Sequence, residues 1–392
     1  MVRALVLIGV LLGASSCSSP PKPVKKVEKK EKTKDAKAFL SEARADAAAG
    51  EVDSADKAYK EAFKASKEFE IFEERIDFLI HAGKATRAQE AAKEYYEANA
   101  TDIKGYQLYA ESLLAGGNGQ EALKVAEEII GLNAQEPAGY EKRGRAQMIL
   151  DKPDEGIDSL KKAVQLDSDN ATYHLSLGLA LHSIKKVNEA ALSFRAALKA
   201  APDDPKTHVY LGMALREQDE LDESKKFLDK ALELDAKNGR AYFELGLLYN
   251  KQGKQAYAEQ ALSKAVQNSP NESLFWYAYG EIYRLQERFD DAISAYKKAV
   301  DLDPPYGKAV TKLGMLLVDR KEYDEGEKLL VTGVRREPKN HLNYMALGDL
   351  YATKKKPKDA LFYYEKYLTL APKADKERNR VRDAVNVLKR QR

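Results

Sequence analysis

Apolar side chains recur along this chain at intervals of three and four, the spacing that lines up one face of an α-helix. The pattern itself returns every 34 residues. Seven glycines keep that period: Gly144, Gly178, Gly212, Gly246, Gly280, Gly314 and Gly348. Four residues before each stand Tyr140, His174, His208, Tyr242, Trp276, Val310 and Tyr344. Three residues after stand Gln147, Leu181, Leu215, Tyr249, Tyr283, Leu317 and Tyr351. Small residues follow twelve after each glycine, from Gly156 and Ala190 to Ala360, and Pro202, Pro270, Pro304, Pro338 and Pro372 close several units. The apolar columns predict paired helices, the small residues a close approach between them, and the prolines the end of the second helix. Glycine inside a helix costs about 0.5–1 kcal/mol against alanine, so seven cost about 4–7 kcal/mol. That approaches the ~5–15 kcal/mol net stability of a whole domain. The glycines are therefore expected where a neighbouring helix leaves no room for a side chain.

Counted with Gly246 as eighth position, residues 239–272 show Tyr242, Leu245, Gly246, Tyr249, Ala258, Leu262, Ala265 and Pro270. This pattern resembles the tetratricopeptide repeat. The resemblance implies an all-α fold, a right-handed α-solenoid of about ten helix-turn-helix units. Their expected bounds are 36–68, 69–102, 103–136, 137–170, 171–204, 205–238, 239–272, 273–306, 307–340 and 341–374. The early units match less closely, and Gly50 and Gly83 are 33 apart, so the first is one residue short. Residues 375–392 predict one more helix, with Val381, Ala384, Val385 and Leu388 on one face, capping the open end of the stack.

Charge changes the picture in one respect. The formal net of +3 combines basic ends with an acidic body: residues 35–374 carry 50 basic and 57 acidic side chains. That balance argues against a nucleic-acid groove, which needs basic charge on the body. A single cysteine excludes a disulfide framework and a cysteine-cluster metal site.

The N-terminus reads as an address. Arg3, the apolar run from Ala4 to Leu12 and the small residues 13–16 describe a secretory signal over 1–16. The stretch Ala14-Ser15-Ser16-Cys17 resembles a bacterial lipoprotein signal, which implies that Cys17 is lipidated and becomes the new N-terminus. Ala14 departs from that family's usual Leu, and an ordinary signal peptidase site also fits. Ser18 in place of Asp points, by resemblance to enterobacterial sorting, to the outer membrane facing the periplasm, ahead of inner-membrane anchoring or a soluble periplasmic form. Residues 17–35 follow as a Pro/Lys-rich tether, whose stretch 18–34 reaches ~55–60 Å if fully extended.

Candidate chemistry is sparse. His174 and His208 lie 34 apart but in a column otherwise aromatic, which favours packing over a metal pair. Gly116-Gly117-Asn118-Gly119 lacks the Lys-Ser/Thr of a phosphate loop and falls at a predicted turn. No catalytic site, cofactor, metal or small-molecule substrate is expected. By the family resemblance, the first helix of each unit lines a concave groove, mainly through its second, fifth, ninth and twelfth positions. The candidate partner-binding residues there are Leu175, Leu179, Val209, Met213, Phe243, Leu247, Tyr277, Met315 and Met345. The family commonly has Asn at the ninth position, so Leu179, Met213, Leu247 and Met315 depart from it. Apolar surface of this kind marks interaction sites, although packing among neighbouring first helices would also account for it.

Two groove chemistries of the family are not matched. Of the clamp that pairs a fifth-position Lys with a ninth-position Asn or Arg, only Arg145 is present, beside Glu141. The sixth positions hold no asparagine ladder. The expectation is a non-catalytic scaffold tethered in the bacterial envelope, binding an apolar helix or extended segment of an envelope protein. By resemblance, its setting is the assembly of a pilus, motility, secretion or outer-membrane complex. The alternative is a periplasmic regulator of a cell-wall enzyme.

Overall fold

The structure, a computed structural model, describes residues 24–303 and 307–390. The expected signal segment, Cys17 and Pro304 lie outside the described residues. Among those described there are 21 helices and no strand, and no helix is long and apolar enough to cross a membrane.

The described residues fall into two compact units, divided between Ser159 and Leu160. The first holds α1 (Val24–Ala49), α2 (Val52–Ser66), α3 (Phe69–His81), α4 (Ala85–Ala98), α5 (Ile103–Ala115), α6 (Gly119–Leu132) and α7 (Pro137–Ile149). Helix α8 (Pro153–Leu166) crosses the division, which therefore falls inside the expected repeat 137–170. The second unit continues with α9 (Ala171–Ser183), α10 (Val187–Ala200), α11 (Pro205–Glu217), α12 (Leu221–Leu234), α13 (Gly239–Lys251) and α14 (Gln255–Asn268). It ends with α15 (Ser273–Leu285), α16 (Phe289–Leu302), α17 (Gly307–Asp319), α18 (Tyr323–Arg336), α19 (His341–Thr353), α20 (Pro357–Leu370) and α21 (Arg378–Arg390). Helix α1 begins at Val24, so residues 24–35 of the expected tether are helical, and a helix climbs only ~1.5 Å per residue.

Within each unit the helices form hairpins that stack in order, α9 on α10, α11 on α12 and so on, each hairpin packing on the next. The glycine column sits at the hairpin crossing. A Cβ on Gly246 would lie 2.5 Å from Leu262, and one on Gly212 2.7 Å from Leu228. From Gly178 to Gly348 the partner is the residue sixteen later, Phe194 for Gly178, Tyr296 for Gly280 and Leu330 for Gly314. Close packing at the crossing thus offsets the helix-propensity cost of glycine.

The turn between the two helices repeats as faithfully as the glycines. At the fifteenth position of every repeat the backbone has positive φ, at Gly50, Gly83, Gly117, Asp151, Lys185, Asp219, Gly253, Glu287, Lys321 and Lys355. A left-handed residue there lets the next amide reach back to the helix, as Glu220 N does to Leu215 O at 2.9 Å. The opposite junction is fixed by N-caps. Asp102, Asn170, Asp204, Asn238 and Asn340 each accept from a backbone amide of the following first helix.

The aromatic column four residues before the glycines carries a hydrogen bond that spacing alone did not suggest. Tyr344 Oη donates to Pro338 O at 3.0 Å, Trp276 Nε1 to Pro270 O at 2.8 Å, and Tyr106 Oη to Ala100 O at 2.8 Å. The two histidines do the same work: His174 Nε2 lies 2.9 Å from Ser168 O, and His208 Nε2 lies 2.7 Å from Pro202 O. Each ring therefore packs with its body and ties its tip to the carbonyl six residues earlier. That explains why Tyr, Trp and His share one column.

Helix α21 packs on α20 with Val381 and Val385 buried and Ala384 and Leu388 partly buried. Its Arg380 guanidinium holds Asp349 of α19 at 2.8 and 3.1 Å.

Candidate partner-binding groove

In the second unit the first helices of successive repeats touch one another: α11 meets α13, α13 meets α15, and α17 meets α19. A two-layered stack whose first helices crowd together has those helices on its inner face. The expected groove residues all lie on them, but the structure divides the nine into two groups.

Val209, Met213, Phe243 and Met345 are buried, which corrects the expectation that they offer surface to a partner. Val209 packs with Leu228, Ala241 and Leu245. Phe243 stacks on Phe275, with ring centroids 4.6 Å apart. Met345 belongs to a cluster with Tyr364, Tyr367 and Val381. Adjacent first helices lie near enough for a fifth-position side chain to reach the next hairpin, which a single-repeat view does not reveal. Leu175, Leu179, Leu247, Tyr277 and Met315 remain partly exposed, and these five are the candidate floor of the groove.

Charged side chains frame that floor. Glu244, 1% exposed, receives Arg216 at 2.9 Å and Arg240 at 3.0 Å, so one buried carboxylate holds two guanidinium groups. His182 Nε2 lies 3.1 Å from the Glu217 carboxylate. Glu281, at a ninth position, receives Arg284 at 3.1 Å and the hydroxyl of Tyr296. Burial, and then the Glu281 carboxylate, push the Tyr296 hydroxyl up from its ordinary range. Asp349, at the ninth position of the next repeat but one, is taken up by Arg380 and by Tyr364 at 2.6 Å. The sequence reading passed over Glu244 and Arg216. Their signal was a carboxylate at a sixth position and an arginine 28 residues before it.

The inner positions of the first unit are of a different kind. Glu111 and Arg145 fall at ninth positions, Glu141 at a fifth and Lys142 at a sixth. Arg145 holds Glu111 at 2.7 and 2.9 Å and Glu141 at 3.2 Å, and Lys142 pairs with Glu111 and with Glu141 at 3.1 Å. Burial opposes ionisation of Glu111, but Lys142 and Arg145 together hold its carboxyl well below the usual range. Arg145, the lone match to a clamp, is thus engaged within this network. At another ninth position, burial raises the Asp77 carboxyl, with Glu111 adding to the effect.

Three sequence models, each described as tetratricopeptide repeat, match this chain: one over 141–205, 211–273 and 255–306, a second over 283–350 and a third over 343–373. Together they cover more than half of its length, and the chain belongs to the tetratricopeptide-repeat family. Yeast Tom70 is similar in fold, with a TM-score of 0.52 at 15% identity, covering 92% of this chain and 96% of Tom70. Cut9, crystallised in a hetero-tetramer with Hcn1, gives 0.56 at 15% identity over 90% of this chain and 76% of its own. Pseudomonas aeruginosa pilF gives 0.50 at 18% identity over 58% of this chain and 99% of its own. At such identities the likeness speaks for the fold alone. No curated protein matches the chain.

Proposed function

We propose that this protein is a non-catalytic scaffold that holds an apolar helix or extended segment of a partner protein on the inner face of repeats 171–340. The observation that carries this reading is the set of apolar side chains, Leu175, Leu179, Leu247, Tyr277 and Met315, left partly exposed on the first helices of the repeat stack. Helix-in-groove docking needs such a floor. The hetero-tetramer of Cut9 with Hcn1 joins a protein of similar fold to a second protein. The setting we propose is the bacterial envelope, with Cys17 lipidated and the repeats facing the periplasm from the outer membrane. The basis for that part is the N-terminal sequence: a short apolar run, small residues and the chain's single cysteine. Two or more acyl chains would make the anchor durable.

The groove is tested by in-cell crosslinking and mass spectrometry of the wild type and of Leu179→Glu combined with Leu247→Glu, after circular dichroism shows both fold. The expected result is one envelope protein captured by the wild type and lost by the variant. An unchanged set of crosslinked proteins would remove the groove from the proposal. For the anchor, Cys17→Ala is expected to release the protein from membranes and lower its mass by the acyl groups.

A further inference from the structure

The side chain that lies across the buried part of the floor is itself exposed and charged. Arg240, 43% exposed, sits at the second position of α13. Its guanidinium carbon is 5.3 Å from the Phe243 ring centroid, and its Nη2 is 3.8 Å from Met213 Sδ. Glu244 holds it there, yet Glu244 is also held by Arg216 at 2.9 Å. Arg240 can therefore turn toward another carboxylate without leaving Glu244 unpaired in the interior. Lys206 and Lys308 occupy the same second position in α11 and α17, and both are exposed. Among the described residues neither ammonium pairs with a carboxylate. Asp204, the nearest acid in sequence to Lys206, is engaged in capping the amides of Lys206 and Thr207.

We propose that the groove selects an amphipathic partner helix bearing carboxylates along one flank of its apolar stripe, and that Arg240, with Lys206 and Lys308, reads that flank. This rests on the groove reading above and adds the partner's charge. Packed helices lie about 8–10 Å apart, and a partner helix climbs about 10.5 Å in seven residues. One heptad per repeat thus sets its apolar residues on the floor and its acids on the cationic edge. When a partner carboxylate takes Arg240, the guanidinium leaves Met213 and Phe243, and the apolar surface beneath it meets the stripe.

The test uses the full chain and two fluorescein-labelled 21-residue helical peptides with one leucine stripe, flanked by Glu in one and by Gln in the other. Fluorescence anisotropy at low salt is expected to show the Glu peptide bound about tenfold tighter, since three exposed pairs contribute ~0.2–1 kcal/mol each. The preference is expected to shrink in added salt. Lys206→Met with Arg240→Met and Lys308→Met should bind both peptides alike, and Arg240→Met alone should cut the preference to roughly fivefold. Equal binding of the two peptides by the wild type, or a preference that survives in Arg240→Met and in the triple variant, overturns the edge reading while leaving the groove in place. If neither peptide binds, or binding ignores Leu179→Glu with Leu247→Glu, the groove itself fails and the edge reading goes with it.

Discussion

The two compact units build their inner faces from the same helix positions but mix charge and apolar surface differently. In the first unit, Glu111, Glu141, Lys142 and Arg145 neutralise one another in a half-buried network. In the second, the corresponding positions leave Leu179, Leu247 and Met315 partly bare. A satisfied ionic network is rigid and has no charge to spare, because each carboxylate is already held. An incompletely covered apolar floor gains by meeting another surface. The comparison teaches that one repeat geometry supports either an inner face of mutually paired charges or one with partly exposed apolar side chains, according to the residues at three positions.

The turns differ too. The first unit mostly places glycine at the left-handed position, Gly50, Gly83 and Gly117. The second mostly places side chains there, Lys185, Asp219, Glu287, Lys321 and Lys355. The second unit thus carries more of this local strain than the first, where Asp151 and Lys67 also have positive φ.

The comparison can be broken most forcefully at Glu111. Replacing it by Ala leaves Lys142, 13% exposed, and Arg145 to share Glu141, and should destabilise the first unit by about 3–5 kcal/mol. Hydrogen exchange resolved by mass spectrometry checks it. Protection should collapse over α5 to α7 and hold over α9 to α20. Equal loss in both units would mean that the network is not a local device.

Acid probes the same network more gently. The Glu111 carboxyl is held below its unfolded value of ~4.3, so its contribution is fully present above that pH. It is lost as pH falls through the folded value. Asp77, raised by burial, works in the other direction and offsets part of the loss. Exchange protection over α5 to α7 should therefore decline below about pH 4.3, and Glu111→Gln should flatten that decline.

Two smaller substitutions sharpen the contrast between the turns. Gly117→Ala puts a side chain at φ +74° and should cost roughly 1–2 kcal/mol. Lys321→Gly relieves φ +64° and should stabilise the second unit by about 0.5–1 kcal/mol, the strain removed less the entropy that glycine adds to the unfolded chain. Urea unfolding of each variant measures both. A loss from Lys321→Gly would show that the lysine side chain contributes more than its backbone costs.

The sequence by itself determined the repeat, its period, its hairpins and the helix that closes it. Those depend on residues up to nineteen apart within one unit, and such contacts print themselves as columns: Gly246 against Leu262 is legible because every unit repeats it. The location of the inner face came from the resemblance to the tetratricopeptide repeat. Which of its side chains stay accessible was not. Val209 is lost to Ala241 and Leu245 of the next repeat, and Met213 lies under Arg240, 27 residues on. The Arg145–Glu111 and Arg216–Glu244 pairs likewise join neighbouring repeats. Such contacts do not recur in every unit, so no column announces them. Their reach is set by how closely one hairpin stacks on the next, and only the tertiary structure fixes that distance.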